Sequence, residues 1–372
     1  MREVMFKTIS LENFRCFKNT NISGFSRVNL IGGLNNAGKS ALLESIIINI
    51  FPFESTVNFI NNFRYENNEE IYDTSWDYLF YNGKTNESIK IKLTLENNQT
   101  NDIQIKKEEV RQLDDLILYK NFSNTEAFNS TKEDFVRFFN ENKVAKSLNF
   151  YLEKGDSLLP LSSCTFTEFG TLGQLDPEHR SQAINIGVSY RPSKQPIVMA
   201  DLIKLYEKSV SNGHLGRIIE ALHLIDASIK DIRPLNKKLL LTRDNENFLP
   251  IGLFGDAIIN ILDIALTCFS LPPNSLLIID EIENGIHHSK HEVLWNFIYK
   301  MSLERNIQVI STTHSIEMIE AFNKISLSDP TKNSDFSYIE LARTRYNKIT
   351  GNIIEPEVLE YKILHDKNFR GE

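Results

Sequence analysis

Eight residues, Gly33-Leu34-Asn35-Asn36-Ala37-Gly38-Lys39-Ser40, set two glycines, a lysine and a hydroxyl at the spacing G-x-x-x-x-G-K-S. Glycines at those places let the backbone curl until several N–H groups face one anion. A helix that follows adds the positive end of its dipole. Gly33, Asn35, Asn36, Ala37 and Gly38 would then wrap the phosphates of a nucleotide. Lys39 would neutralise the β- and γ-phosphates, and the Ser40 hydroxyl would ligate Mg²⁺. ATP and Mg²⁺ are the expected ligands.

A second group lies far down the chain. The apolar run from Ser275 to Ile279 ends in Asp280 and Glu281. Asp280 is expected to serve the Mg²⁺ end of the site, and Glu281 to be the base that orients an attacking water. Another apolar run, from Asn306 onward, ends in Ser311-Thr312-Thr313-His314-Ser315. Between the two, Glu283-Asn284-Gly285-Ile286 reads as a tight turn. His287, His288 and His291 follow it, but no Glu follows His287, so the zinc motif H-E-x-x-H is absent.

These side chains need a frame. Val28-Asn29-Leu30-Ile31 reads as a strand and Ala41 to Ile48 as a helix, the context in which the loop is meaningful. An unbroken apolar strand at 275–279 requires cover on both faces, and its terminal carboxylates should sit beside the phosphate-loop strand. Val4 to Leu11 and Phe14 to Phe17 also read as strands. Ser88 to Leu95 and Ile103 to Ile105 alternate apolar and polar residues, with Glu96-Asn97-Asn98-Gln99 as the turn between them. From Glu109 to Asn149 the composition is charged and reads as helical. Met199 to Val210 and Leu215 to Leu222 have helical spacing, broken at Asn212-Gly213.

The chain has 372 residues, 41% of them hydrophobic, and a net charge of −8, which argues against a surface that wraps nucleic acid throughout. Its three cysteines are widely spaced and read as reduced thiols of a cytoplasmic protein. The N-terminus lacks the apolar stretch of a signal peptide, and no apolar run is long enough to span a membrane.

Asp-Glu, then a helix, a strand and a terminal His, resembles the ATP-binding-cassette (ABC) and SMC-type ATPases. In that family the His touches the γ-phosphate. Asn13-Phe14-Arg15-Cys16-Phe17, the stretch from Ile9 to Ile47, and Leu359-Glu360-Tyr361 through Phe369-Arg370-Gly371 bring it closer to the overcoming-lysogenization-defect (OLD) proteins of the AAA family. The resemblance implies an α/β fold: an ABC/SMC-type P-loop ATPase head, a mixed sheet with flanking helices plus an antiparallel β lobe, with a mainly helical insertion. Residues 1–108 and 236–372 would form the two halves of the head, and 109–235 the insertion.

It also implies heads that dimerise, or assemble further, around ATP and control a separately encoded effector, a nuclease or toxin of anti-phage defence. Glu281 and His314 would be catalytic. Gly255 and Asp256, with Asn284, would reach nucleotide from the signature loop and the dimer-contacting turn. Leu253 and Ala257 stand where that loop usually has Ser and Gly, so slow hydrolysis is expected. The family's Mg²⁺-binding Gln after the first helix has no counterpart between Ser40 and Asn98.

Only 58 residues follow His314, without the clustered acids of a Toprim nuclease. A DNA-repair ATPase of SMC type acting directly on nucleic acid is the alternative, although no sustained heptads separate the nucleotide motifs. A transporter subunit is the third reading.

Overall fold

The structure, a computed structural model, describes residues 6–51, 76–110, 137, 140–141, 144–167, 170–176, 179, 181–184, 186–193, 197–243 and 247–365. The Phe369-Arg370-Gly371 ending lies outside these residues. In chain order come β1 (Phe6–Phe14), β2 (Phe17–Ser23), β3 (Val28–Gly33), α1 (Lys39–Ile50), β4 (Ile89–Leu95), β5 (Thr100–Val110), β6 (Ala145–Lys154), β7 (Ser157–Thr167) and β8 (Gly170–Leu175). There follow β9 (Gly187–Arg191), α2 (Met199–Ser211), α3 (Leu215–His223), β10 (Ile229–Leu235), β11 (Lys238–Arg243), β12 (Leu249–Pro250), α4 (Asp256–Ser270) and β13 (Ser275–Ile279). The last are α5 (His291–Arg305), β14 (Ile307–Thr312), α6 (Ile316–Leu327), α7 (Pro330–Asn333), β15 (Phe336–Arg343), β16 (Ile349–Ile354) and α8 (Pro356–His365).

Three buried runs become the middle of one sheet, ordered β16-β15-β3-β14-β13-β9 and parallel except for the β15–β16 hairpin. Alternation within each run sends apolar side chains to both faces, with Asn29 and Gln308 buried among them. Leu277, Ile279, Leu30 and Val309 face a core shared with α2 to α6. Leu276, Ile278, Ile31 and Ile310 face a core shared with α1 and the antiparallel sheet. A strand packed on both sides has no position left for a solvated side chain.

The second sheet runs β2-β1-β4-β5-β6-β7-β8 and is antiparallel throughout. Its buried Ile89, Ile91 and Leu93 alternate with lysines, as expected for a sheet with one wet face. Asn98 takes φ 63° in the β4–β5 turn, a conformation Asn tolerates. Two buried asparagines tie this lobe to α1. Asn49 donates to the carbonyls of Ile91 (2.7 Å) and Asn101 (2.9 Å), and Asn101 donates back to Asn49.

The structure corrects three expectations. The acidic strand β13 does not lie beside the phosphate-loop strand: β14 runs between them, paired to both. The interval 109–235 is not mainly helical among the described residues. Strands β6 to β9 occupy most of 145–191, and the two helices described in full, α2 and α3, pack on the core through Leu202, Tyr206, Ile218 and Leu222. Phe14 to Phe17 is not a strand but a turn at Arg15-Cys16 between β1 and β2, with Arg15 at φ 48°.

Candidate nucleotide site

The loop after β3 is shaped by what its neighbours exclude. Gly33 has φ 132°, and a Cβ there would stand 2.3 Å from the Leu341 carbonyl oxygen. Gly38 has φ 96°, and its Cβ would meet the Cys16 sulfur at 2.7 Å. Both positions therefore demand glycine, for backbone conformation and for space. Asn36 also takes a positive φ, 62°, and its carbonyl accepts from Arg343 Nη2 at 3.1 Å. Asn35 is exposed and Ala37 buried. No side chain caps α1 and no acid lies in its first turn, so its leading N–H groups are available to an anion.

Lys39, the first residue of α1, is buried and bends back over the loop. Its Nζ donates to the carbonyls of Gly33 (2.7 Å) and Leu34 (3.1 Å) and lies 3.3 Å from His314 Nδ1. Burial pulls its pKa down to about 8, against the pull of Asp280, Glu283 and Glu281. Ser40 Oγ donates to Asp280 Oδ2 at 3.0 Å. The strand inserted between β3 and β13 is what lets β14 contribute as well: Thr312 Oγ1 donates to Asp280 Oδ1 at 2.5 Å.

Glu281 stands in the left-handed region at φ 52°, a conformation that costs a non-glycine residue on the order of 1 kcal/mol and clusters at functional sites. Its Oε2 accepts from Asn284 Nδ2 at 3.1 Å, and its Oε1 is 4.0 Å from His314 Nε2. Lys39 thus meets the His314 ring at Nδ1, and Nε2 on its other side faces Glu281. The His314 backbone N–H donates to Glu283 Oε1 at 2.7 Å, and Ser315 caps α6 by accepting from Met318 N.

Lys39, Ser40, Asp280, Glu281 and His314 are thus brought together. Gly255 and Asp256 are not: among the described residues no hydrogen bond or ion pair joins them to residues 33–40. Instead the start of α4 rests against the Asn284-Gly285 turn. Asn260 Nδ2 donates to the Asn284 carbonyl at 2.8 Å, and a Cβ on Gly285 would be 3.2 Å from that of Asp256. His291 is buried and contacts the Ile286 carbonyl, while the His287 and His288 rings pack together at 4.2 Å. Burial holds the Cys16 thiol beside the loop protonated, with its pKa raised to about 11.

Sequence reasoning missed Thr312, Glu283 and Arg343. Thr312 lies two residues before His314 and Glu283 two after Glu281, so proximity to the motifs was the available signal. Arg343 had none, because β15 reaches the loop only through sheet pairing with β3.

The AAA domain family profile matches residues 8–247. A Helicobacter pylori protein named ATP/GTP phosphatase is 30% identical over 407 aligned positions, spanning 99% of this chain and all of that protein. Among solved structures, the SMC head domain from Thermotoga maritima covers 95% of this chain and 100% of its own at 11% identity, with a TM-score of 0.46. The SmcHead bound to the C-winged helix domain of ScpA covers 95% and 99% at 11% identity, with a TM-score of 0.51, and shows the same fold. Among the described residues no helix is long and apolar enough to cross a membrane.

Proposed function

This chain belongs to the AAA-domain family of P-loop ATPases, and on that premise we propose that Lys39, Ser40, Asp280, Glu281 and His314 carry Mg²⁺-dependent ATP hydrolysis. The supporting observation is their convergence from three strands: Ser40 bonds Asp280, while Lys39 and Glu281 both approach His314. A hydroxyl and a buried carboxylate are hard oxygen donors, so Ser40 and Asp280 fit Mg²⁺, with phosphate oxygens and water completing its shell. Bound there, Mg²⁺ would neutralise charge developing on the transferred phosphoryl group. Lys39 would exchange the Gly33 and Leu34 carbonyls for the phosphates. Glu281 would orient the water, and His314 would donate from Nε2 toward the γ-phosphate.

We further propose that the chain is an OLD-like cytoplasmic ATPase whose heads dimerise on ATP. Gly255, Asp256 and Asn284 would face the partner copy's nucleotide. The position of α4 against the Asn284-Gly285 turn supports this, since both belong to one exposed edge on which Leu253 is 71% exposed. Restoring donors with Leu253→Ser and Ala257→Gly together is expected to raise turnover a few-fold, on the order of 1 kcal/mol for one added hydrogen bond. Steady-state phosphate release checks this. A folded double variant with unchanged turnover would remove the signature loop from the account.

In this reading the interval 109–235 carries the surface for a separately encoded nuclease or toxin, gripped differently in the ATP and nucleotide-free states. Co-expression tests it: the product of the neighbouring gene is expected to co-purify in a nucleotide-dependent way. Retention that ignores nucleotide would count against the proposal. The SMC-head fold favours a second reading, direct action on DNA. ATP-dependent DNA retention by the purified chain, without any partner, would select it instead.

A further inference from the structure

Thr312 does more than end β14. Its side-chain hydroxyl and its carbonyl engage three consecutive residues of the acidic turn. The hydroxyl donates to Asp280 Oδ1 at 2.5 Å and accepts from the Glu281 backbone N–H at 2.9 Å, while the carbonyl accepts from Ile282 N at 3.0 Å. The residue is fully buried. Its backbone pairs with Ile31 of the phosphate-loop strand, and the next N–H, of Thr313, donates to the Ile31 carbonyl at 3.1 Å.

Chemistry fixes the direction of these bonds. An amide N–H only donates, so the oxygen of Thr312 must accept from Glu281. Its single proton is then committed to Asp280. Ser40 donates to the other oxygen of the same carboxylate. Asp280 is therefore held between two hydroxyls as an acceptor, one from the phosphate loop and one from β14. Glu281 is held in its left-handed conformation by the same oxygen that holds Asp280.

We infer that Thr312 is a positioning residue for hydrolysis: one hydroxyl sets the metal-facing carboxylate and the water-orienting glutamate in a common register with the phosphate loop. This rests on the roles proposed above for Asp280 and Glu281. Neither Val nor Ala can reproduce it, because neither offers an oxygen, whereas Ser can. Partners that orient a metal-binding carboxylate typically change metal affinity or activity by roughly 10–100-fold when removed.

The test compares Thr312→Val, Thr312→Ser and Glu281→Gln in the full chain. Thr312→Val is expected to lower kcat by roughly 10–100-fold and to raise the Mg²⁺ concentration for half-maximal turnover by a similar factor. ATP binding measured with EDTA present should stay near wild type, because Lys39 and the loop are untouched. The rise in melting temperature on adding Mg²⁺ to the ATP-bound protein should shrink, which reads metal binding without turnover. Thr312→Ser should recover most of both quantities. If the Val variant does not fold, Thr312→Ala carries the same expectations.

A folded Val or Ala variant with wild-type turnover and Mg²⁺ requirement would overturn the inference. So would a Ser variant as impaired as the Val variant, since packing would then be the cause. The glutamate control separates the two levels. Wild-type hydrolysis by Glu281→Gln would remove the underlying site reading, whereas a slow Glu281→Gln beside a normal Thr312→Val removes only the role of Thr312.

Discussion

Replacing Lys39 by Ala is expected to weaken ATP binding by about 100-fold or more, about 2.8 kcal/mol. The loop's remaining donors are backbone N–H groups carrying partial charge. Lys39 brings a full positive charge that already rests on the Gly33 and Leu34 carbonyls, whereas Arg343 reaches the loop only at the Asn36 carbonyl. Charge-assisted bonds to phosphate are the strong ones, and a buried setting screens them little. Calorimetry with ATP measures the loss, and an unchanged Kd would exclude the phosphate-loop assignment.

The same lysine gives binding a pH signature. Without nucleotide its pKa is depressed to about 8, so above that pH the free site loses its charge. ATP phosphates favour the ammonium form, and binding must then take up a proton. Affinity should fall as pH rises above 8, by at most about tenfold per unit for one proton. Stability runs the other way. The folded pKa lies below the unfolded value, so the cost of burying the charge is full below pH 8. It is relieved as pH climbs from there toward 10.5. Lys39→Arg, which stays charged, should flatten the binding profile.

Glu281→Gln is expected to slow turnover by about 100-fold or more while ATP stays bound. Gln keeps the shape and can still meet Asn284, but it cannot take a proton from water. ATP held without hydrolysis should trap the head-to-head dimer. Rapid-quench kinetics and light scattering read the two effects separately. Wild-type turnover in this variant would remove Glu281 as the base. His314→Ala should also slow the reaction, and a normal rate there would remove the γ-phosphate role.

The phosphate loop, Asp280-Glu281 and His314 were legible because each is a short run whose chemistry depends on local spacing. The order of strands was not. β14 lies between β3 and β13 because it pairs with β13 nearby and with β3 across 281 positions, Val28 to Val309, and nothing local in Ile307 to Thr312 announces its neighbours. Thr312 was hidden for the same reason: its role comes from the strand on which it ends. In β6, Leu148, Phe150 and Leu152 do alternate into the core. Charge in the surrounding stretch masked that period, although the strand pairs with β5 along eight positions. Gly255-Asp256 was picked out only by its resemblance to a signature loop, and its placement against Asn284-Gly285 was not legible, since only the packing of α4 decides it.

The central sheet also has a consequence for synthesis. Strand β3 and helix α1 emerge early, yet their sheet partners come late: Asn29 bonds the Val309 carbonyl, 280 residues further on, and Phe6 bonds the Gln308 side chain. At the usual pace of translation that separation is roughly 14–56 s. Throughout it the apolar faces of β3 and α1, Ile46 to Ile48 included, have no β14 to cover them. The nascent chain therefore carries these apolar faces uncovered until β14 has left the ribosome, and its yield in the cell should depend on holding chaperones during that wait.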